Sequence, residues 1–111
     1  MAISVKTVNR CLVATVTGEL DHHLAPIIRE TLDKHIKKGE VHHLILDFSA
    51  LTFMDSSGIG VIIGRYRLTE NNGGKTMLAC LGPGVTRIFE ISGLKRIIKS
   101  ADSVDEAVKC I

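Results

Sequence analysis

"VHHLILDFSALTFMDSSGIGVIIGRY", residues 41–66, joins two different apolar patterns through a short polar junction. Its opening, "VHHLILDFS", is a nearly continuous apolar run without alternation, the pattern of a strand buried on both faces of a sheet. From Gly58 to Asn71 the pattern changes: Ile59, Ile62, Ile63 and Tyr66 share one helical stripe, and the run stops at the breakers "NNGG". Between strand and helix stand Asp55, Ser56 and Ser57. A doubly buried strand that leads into a helix is half of a parallel crossover, so this stretch places the chain in the α/β class.

Working outward, "ISVKTV" at residues 3–8 and "CLVATVTG" after the polar pair Asn9-Arg10 both alternate, which predicts an antiparallel hairpin. In "GELDHHLAPIIRETLDKHIKKGE", Leu24, Ile27, Ile28, Leu32 and Ile36 recur at helical spacing, with Pro26 in the first turn and Gly39 as a stop. Beyond the central stretch, "KTMLACLG" reads as a buried strand. "GVTRIFEISG" reads as a short helix closed by Gly93, and "LKRIIKS" as a last strand. "SVDEAVKCI" has Ser103 and Glu106 at capping-box spacing and predicts a final helix. The expected order is β-β-α-β-α-β-α-β-α: one domain over residues 1–111, a mixed, mostly parallel sheet with an N-terminal antiparallel hairpin, and four helices.

A chain of 111 residues, 45% hydrophobic, suits one domain and leaves no room for a second. The net charge of +2 is spread along the sequence, so no nucleic-acid footprint or polybasic membrane anchor stands out. No apolar run reaches the roughly 20 residues that span a bilayer, and the N-terminus lacks a signal-peptide core; the expected location is cytoplasmic. Cys11, Cys80 and Cys110 are far apart and in no CxxC arrangement, which predicts buried reduced thiols rather than disulfides or zinc. The histidines come as the adjacent pairs His22-His23 and His42-His43 plus His35. Neighbours on a strand point to opposite faces, so no metal site and no cofactor is expected.

The serine pair admits several chemistries. "GGKT" at Gly73–Thr76 resembles the end of a phosphate loop, but Thr69 replaces the first glycine and the segment runs from helix into strand. Gly58, Gly60 and Gly64 are spaced one residue too long for a dinucleotide fingerprint, and no acidic residue closes the next strand. Gly60 and Gly64, four apart, read instead as a place where a neighbouring element approaches the helix. The nucleophile elbow GxSxG is absent. What remains is a helix start, where an oxygen-bearing cap is worth about 1 kcal/mol. One cap suffices, and a second serine in the first turn is free to face solvent. A phosphoryl group there meets the positive end of the helix dipole and adds about −1.5 to −2 charges, switching a docking surface without unfolding the domain. If the strands on either side of the first helix are parallel, the "ELDHH" turn lies beside "DSSG". Asp21 then either caps the first helix or contacts a partner.

"GELDHH", "DFSALTFMDSSGIGVIIGRY" and "ISGLKRIIK" together resemble the anti-anti-sigma factors of endospore-forming bacteria, which are STAS domains, over almost the whole chain. The resemblance implies a partner switch. The unmodified protein would bind an anti-sigma factor that carries ADP or ATP and is also a serine kinase, and so free a sporulation sigma factor. Phosphorylation of the second serine, Ser57, would break the contact, and a membrane serine phosphatase would restore it. On this basis Ser57 is the acceptor, Asp55 and Ser56 shape its loop, and Asp21, Gly58 and Ile59 join the contact surface. The chain itself would have no catalytic activity. The competing expectations are a STAS module of a stress-response pathway and a weak nucleotide-binding module.

Overall fold

In the computed structural model, which describes residues 2–39 and 42–111, β1 (Ile3–Val8) and β2 (Cys11–Val16) form the expected hairpin, with Val8 opposite Cys11. Asn9 and Arg10 between them take positive φ, 47° and 67°. Two such residues make the hairpin turn whose twist matches that of the strands. The chain continues through β3 (Gly18–Leu20), α1 (Ala25–Lys37), β4 (His43–Asp47), β5 (Leu51–Met54), α2 (Ser56–Asn71), β6 (Thr76–Ala79), α3 (Pro83–Ser92), a 3-10 turn (Leu94–Arg96), β7 (Lys99–Ala101) and α4 (Val104–Cys110).

The main sheet has the order β1-β2-β4-β6-β7, and every pair but the first is parallel. Alternate residues of its central strands serve two cores. Leu12, Ala14, Leu44, Leu46 and Leu78 face α1, α2 and α3 in the larger one. Cys11, Val13, Ile45, Met77 and Ala79 face α4 in the smaller one. Both faces are apolar, which is why β4 and β6 show no alternation in sequence. Gly93, at φ 80°, closes α3, and Ser103 Oγ accepts from the Glu106 N–H to start α4.

Several expectations need correction. Two strands, β3 and β5, were not foreseen; they pair in parallel as a separate small sheet. With three and four residues, neither is long enough to display a period. The segment expected as the last strand opens instead as the 3-10 turn, its N–H groups bonded three residues back (Arg96 to Gly93, Ile97 to Leu94), so that Ile97 is exposed and the strand begins only at Lys99. Among the described residues, nothing lies within 4 Å of where a Cβ would stand on Gly60 or Gly64, so neither marks a close approach. The close approach is at Gly58, where an added Cβ would lie 2.5 Å from Met54 Cγ and 2.9 Å from Leu20 Cγ. Of the thiols, only Cys11 is buried; Cys80 is half-buried and Cys110 exposed. Val41, the expected first residue of the third strand, lies outside the described residues.

The inward face of α2 also differs. Gly58, Val61, Ile62, Arg65 and Thr69 are buried, whereas Ile59, Ile63 and Tyr66 are only partly covered. The helix packs on α1 as well as on the sheet, so a second, partly polar stripe is covered too.

Candidate functional site: the edge around Ser57

The small sheet builds the site. Leu20 pairs with Met54, and the Asp55 N–H donates to the Leu20 carbonyl at 3.4 Å. The residues that follow the two strands, Asp21 and Asp55, therefore leave the sheet at one edge. Each then stabilises the turn that begins after it. Asp55 is the N-cap of α2, its Oδ1 accepting from the Ser57 N–H at 2.9 Å. Asp21 Oδ1 accepts from the N–H groups of His23 and Leu24, both at 3.0 Å, and its carbonyl accepts from Ala25. It caps the turn that leads into α1, while the N-cap position of the helix itself is Leu24. The Leu24 N–H above all, aided by that of His23 and opposed by slight burial, holds the Asp21 carboxyl below the usual carboxylate range.

Because Asp55 supplies the cap, neither serine hydroxyl is needed for it. Ser56, at the first helical position, is exposed; Ser57, at the second, is half-buried. Ser57 borders a shallow cleft of about 380 Å³ whose other walls are His22, Ala25, Pro26, Arg29, Gly60 and Val61. The cleft is the groove between the first turns of α1 and α2. Gly58, expected on the contact surface, is buried beneath Leu20 and Met54, where it lets α2 sit on the ends of both short strands. Ile59 is half-buried against the main core. Phe53, two residues before Asp55, is 49% exposed and flanks Ile88 and Ile91 of α3.

Further along the α1–α2 groove, Arg65 Nε lies 2.8 Å from Asp33 Oδ1 without an aligned N–H, and among the described residues Arg65 Nη1 has no hydrogen-bond partner. Burial lowers the proton affinity of the Arg65 guanidinium, Asp33 opposes the shift and the neighbouring Arg29 charge adds to it. Reading the sequence missed this pair and the place of Arg29 on the cleft wall. Asp33 lies four residues after Arg29 on α1, and only the packing of α2 on α1 brings Arg65 to it.

The other histidine pair lies far from Ser57. His43 Nδ1 accepts from the Lys75 N–H at 3.0 Å, joining the starts of β4 and β6. Among the described residues no cluster of three His, Cys, Asp or Glu side chains is arranged for a metal ion, and no helix is long and apolar enough to cross a membrane. "GGKT" runs from the end of α2 into β6, away from any helix N-terminus.

The STAS domain model matches residues 2–107. The anti-sigma F factor antagonist of Paenibacillus polymyxa is 39% identical over 92 residues, covering 83% of this chain and 79% of the relative. The anti-sigma-B factor antagonist of Bacillus subtilis (strain 168) is 32% identical over 96 residues, 86% of each. The structure of the anti-sigma factor antagonist SpoIIAA in its unphosphorylated form is similar at a TM-score of 0.84 and 38% identity, over 96% of this chain and 93% of that one. The phosphorylated form of the Bacillus cell fate determinant SpoIIAA is similar at 0.77 and 37%, over 97% of each. The sheet with its antiparallel first pair, the small second sheet and a match over nearly all its length make this chain a member of the STAS domain family.

Proposed function

We propose that this protein is an anti-sigma factor antagonist of the sporulation type, switched by phosphorylation of Ser57. Unmodified, it docks through the edge formed by Asp21, Asp55, Ser56, Ser57 and Ile59 onto an anti-sigma factor that carries ADP or ATP and acts as a serine kinase. Docking releases the sigma factor. Phosphorylated, it no longer docks, and a serine phosphatase returns it to the active form. Its own role is that of competitor and kinase substrate, with no catalysis of its own.

The observation that carries this reading is the division of labour at the start of α2. Asp55 holds the helix, so Ser57 is available for modification beside the Asp21 turn. Added charge at a helix N-terminus is compatible with the fold, whereas a dianion in a docking surface leaves charge to be buried without a partner. The relative known in both forms, at 37–38% identity, supports a phosphorylation switch. The higher identity to the sigma-F antagonist than to the sigma-B antagonist, 39% against 32%, favours the sporulation branch.

Incubation with the purified anti-sigma kinase and ATP, followed by intact mass and peptide mapping, should place one phosphate on Ser57. Ser57→Ala should then bind the kinase as the unmodified chain does, and Ser57→Asp about tenfold more weakly or worse, since tenfold is only about 1.4 kcal/mol. Phosphate on Ser56, or equal binding of the two variants, would end this account.

A further inference from the structure

The cleft beside Ser57 is unevenly charged. A phosphoryl group on Ser57 would arrive next to two carboxylates, Asp55, which already occupies the Ser57 N–H, and Asp21 across the small sheet. The helix terminus alone is a poor counter-charge here, because Asp55 has taken up part of it. The opposite wall is different: the ionisable side chains lining the cleft are His22 and Arg29. Among the described residues Arg29 has no carboxylate within 4 Å, and Asp33, one turn further along α1, lies against Arg65. The groove thus holds two guanidinium groups against one carboxylate. Arg65, with a side chain only 9% exposed, still has an unpartnered Nη1.

We propose that a phosphoryl group on Ser57 is received within the chain itself: its oxygens turn into the cleft and are bound by Arg29, with His22 as a second donor. This rests on the reading of Ser57 as the acceptor and adds what happens to the charge afterwards. A guanidinium offers paired N–H donors that match phosphate oxygens, which makes Arg29 the stronger of the two contacts. The modified surface is then stabilised by contacts that exist only after modification. Arg29 and His22 are also withdrawn from whatever they face in the unmodified protein.

The test uses the full chain with phosphoserine installed at position 57 during translation, so that it does not depend on any kinase. A ³¹P NMR titration should give the second ionisation of the phosphoserine below its ordinary value of about 6. In Arg29→Gln it should rise by about half a unit or more, as expected on losing an opposite charge within hydrogen-bonding reach. His22→Gln should raise it less, and Lys95→Gln, far from the cleft, should leave it unchanged. Arg29 is exposed on α1, so the unmodified Arg29→Gln chain should melt like the wild type. Identical titrations for wild type and Arg29→Gln would overturn the internal clamp. The kinase incubation described above judges the switch separately: Ser57 left bare there would refute the acceptor reading, while the titration still decides the clamp.

Discussion

The two ends of α2 are built on opposite principles. At its C-terminal end a series of hydrogen bonds ties the chain down. Thr69 Oγ1 donates to the Arg65 carbonyl at 2.8 Å, the Gly74 N–H donates to the Thr69 carbonyl at 2.9 Å, and His43 holds the Lys75 N–H. Gly74 is pressed so closely on the His42 backbone that a Cβ has no room there. At its N-terminal end the helix is capped once, by Asp55; the following residues border an open cleft, and Gly60 has nothing within 4 Å of where a Cβ would stand. Rigidity and openness are separated by the length of one helix. Charge can therefore be added at Ser57 while the anchor that keeps α2 on the sheet stays untouched.

The sharpest way to break this contrast is to substitute glycines at both ends. Gly74→Ala forces a methyl group into the His42 carbonyl and should cost about 3 kcal/mol, in the upper range of overpacking. Gly60→Ala and Gly64→Ala, facing open space in a helix, should be neutral or stabilise by up to about 1 kcal/mol each. Urea denaturation of the three variants reads the difference directly, and similar losses at both ends would mean that the cleft is not open. A smaller effect is expected between the ends, at the Arg65–Asp33 pair. Asp33→Asn leaves a guanidinium buried without counter-charge. Asp33 is 23% exposed, which tempers the loss to about 1–3 kcal/mol. Arg65→Met replaces the charge by an apolar chain of similar length and should cost clearly less. A larger loss for Arg65→Met would show that the pair is a net stabiliser and more than a compensated burial.

The hairpin, α1, β4, α2 and β6 were legible because each carries an apolar pattern of its own, alternating, helical or unbroken, and the cap of α4 because its side chain satisfies backbone amides in only one way. Ser57 at a helix start was legible for the second reason. The edge that places it beside Asp21 was not. Topology alone suggested the neighbourhood, but β3 and β5, which create it, are too short to have a pattern. The burial of Arg65 was not legible for a different reason: an arginine beside the apolar stripe of a helix is covered only when a second element packs on that side, as α1 does here. The inward glycine was assigned to Gly60 and Gly64 because spacing on a helix does not say which stripe meets a neighbour; only the packing of Leu20 and Met54 identifies Gly58.

The weakest expected effect tests the locked end by pH. Burial in the first place, with the charges of His42, Arg10 and Lys75 behind it, holds the proton affinity of His43 below its ordinary value. In the unfolded chain that value is about 6.5. Between the two values the unfolded chain binds a proton that the folded chain refuses. This contribution to stability is complete above about pH 6.5 and is lost as the pH falls through the folded value. The structural reason is specific: Nδ1 accepts the Lys75 N–H in the neutral ring and has no lone pair left to do so once protonated. Melting temperatures followed from about pH 7.5 to about pH 5.5 should fall less steeply in His43→Gln than in the wild type. If the slope in His43→Gln were as steep as in the wild type, protonation would be acting through the net charge of the domain, and the distinction between a locked and an open end of α2 would have to rest on the glycines alone.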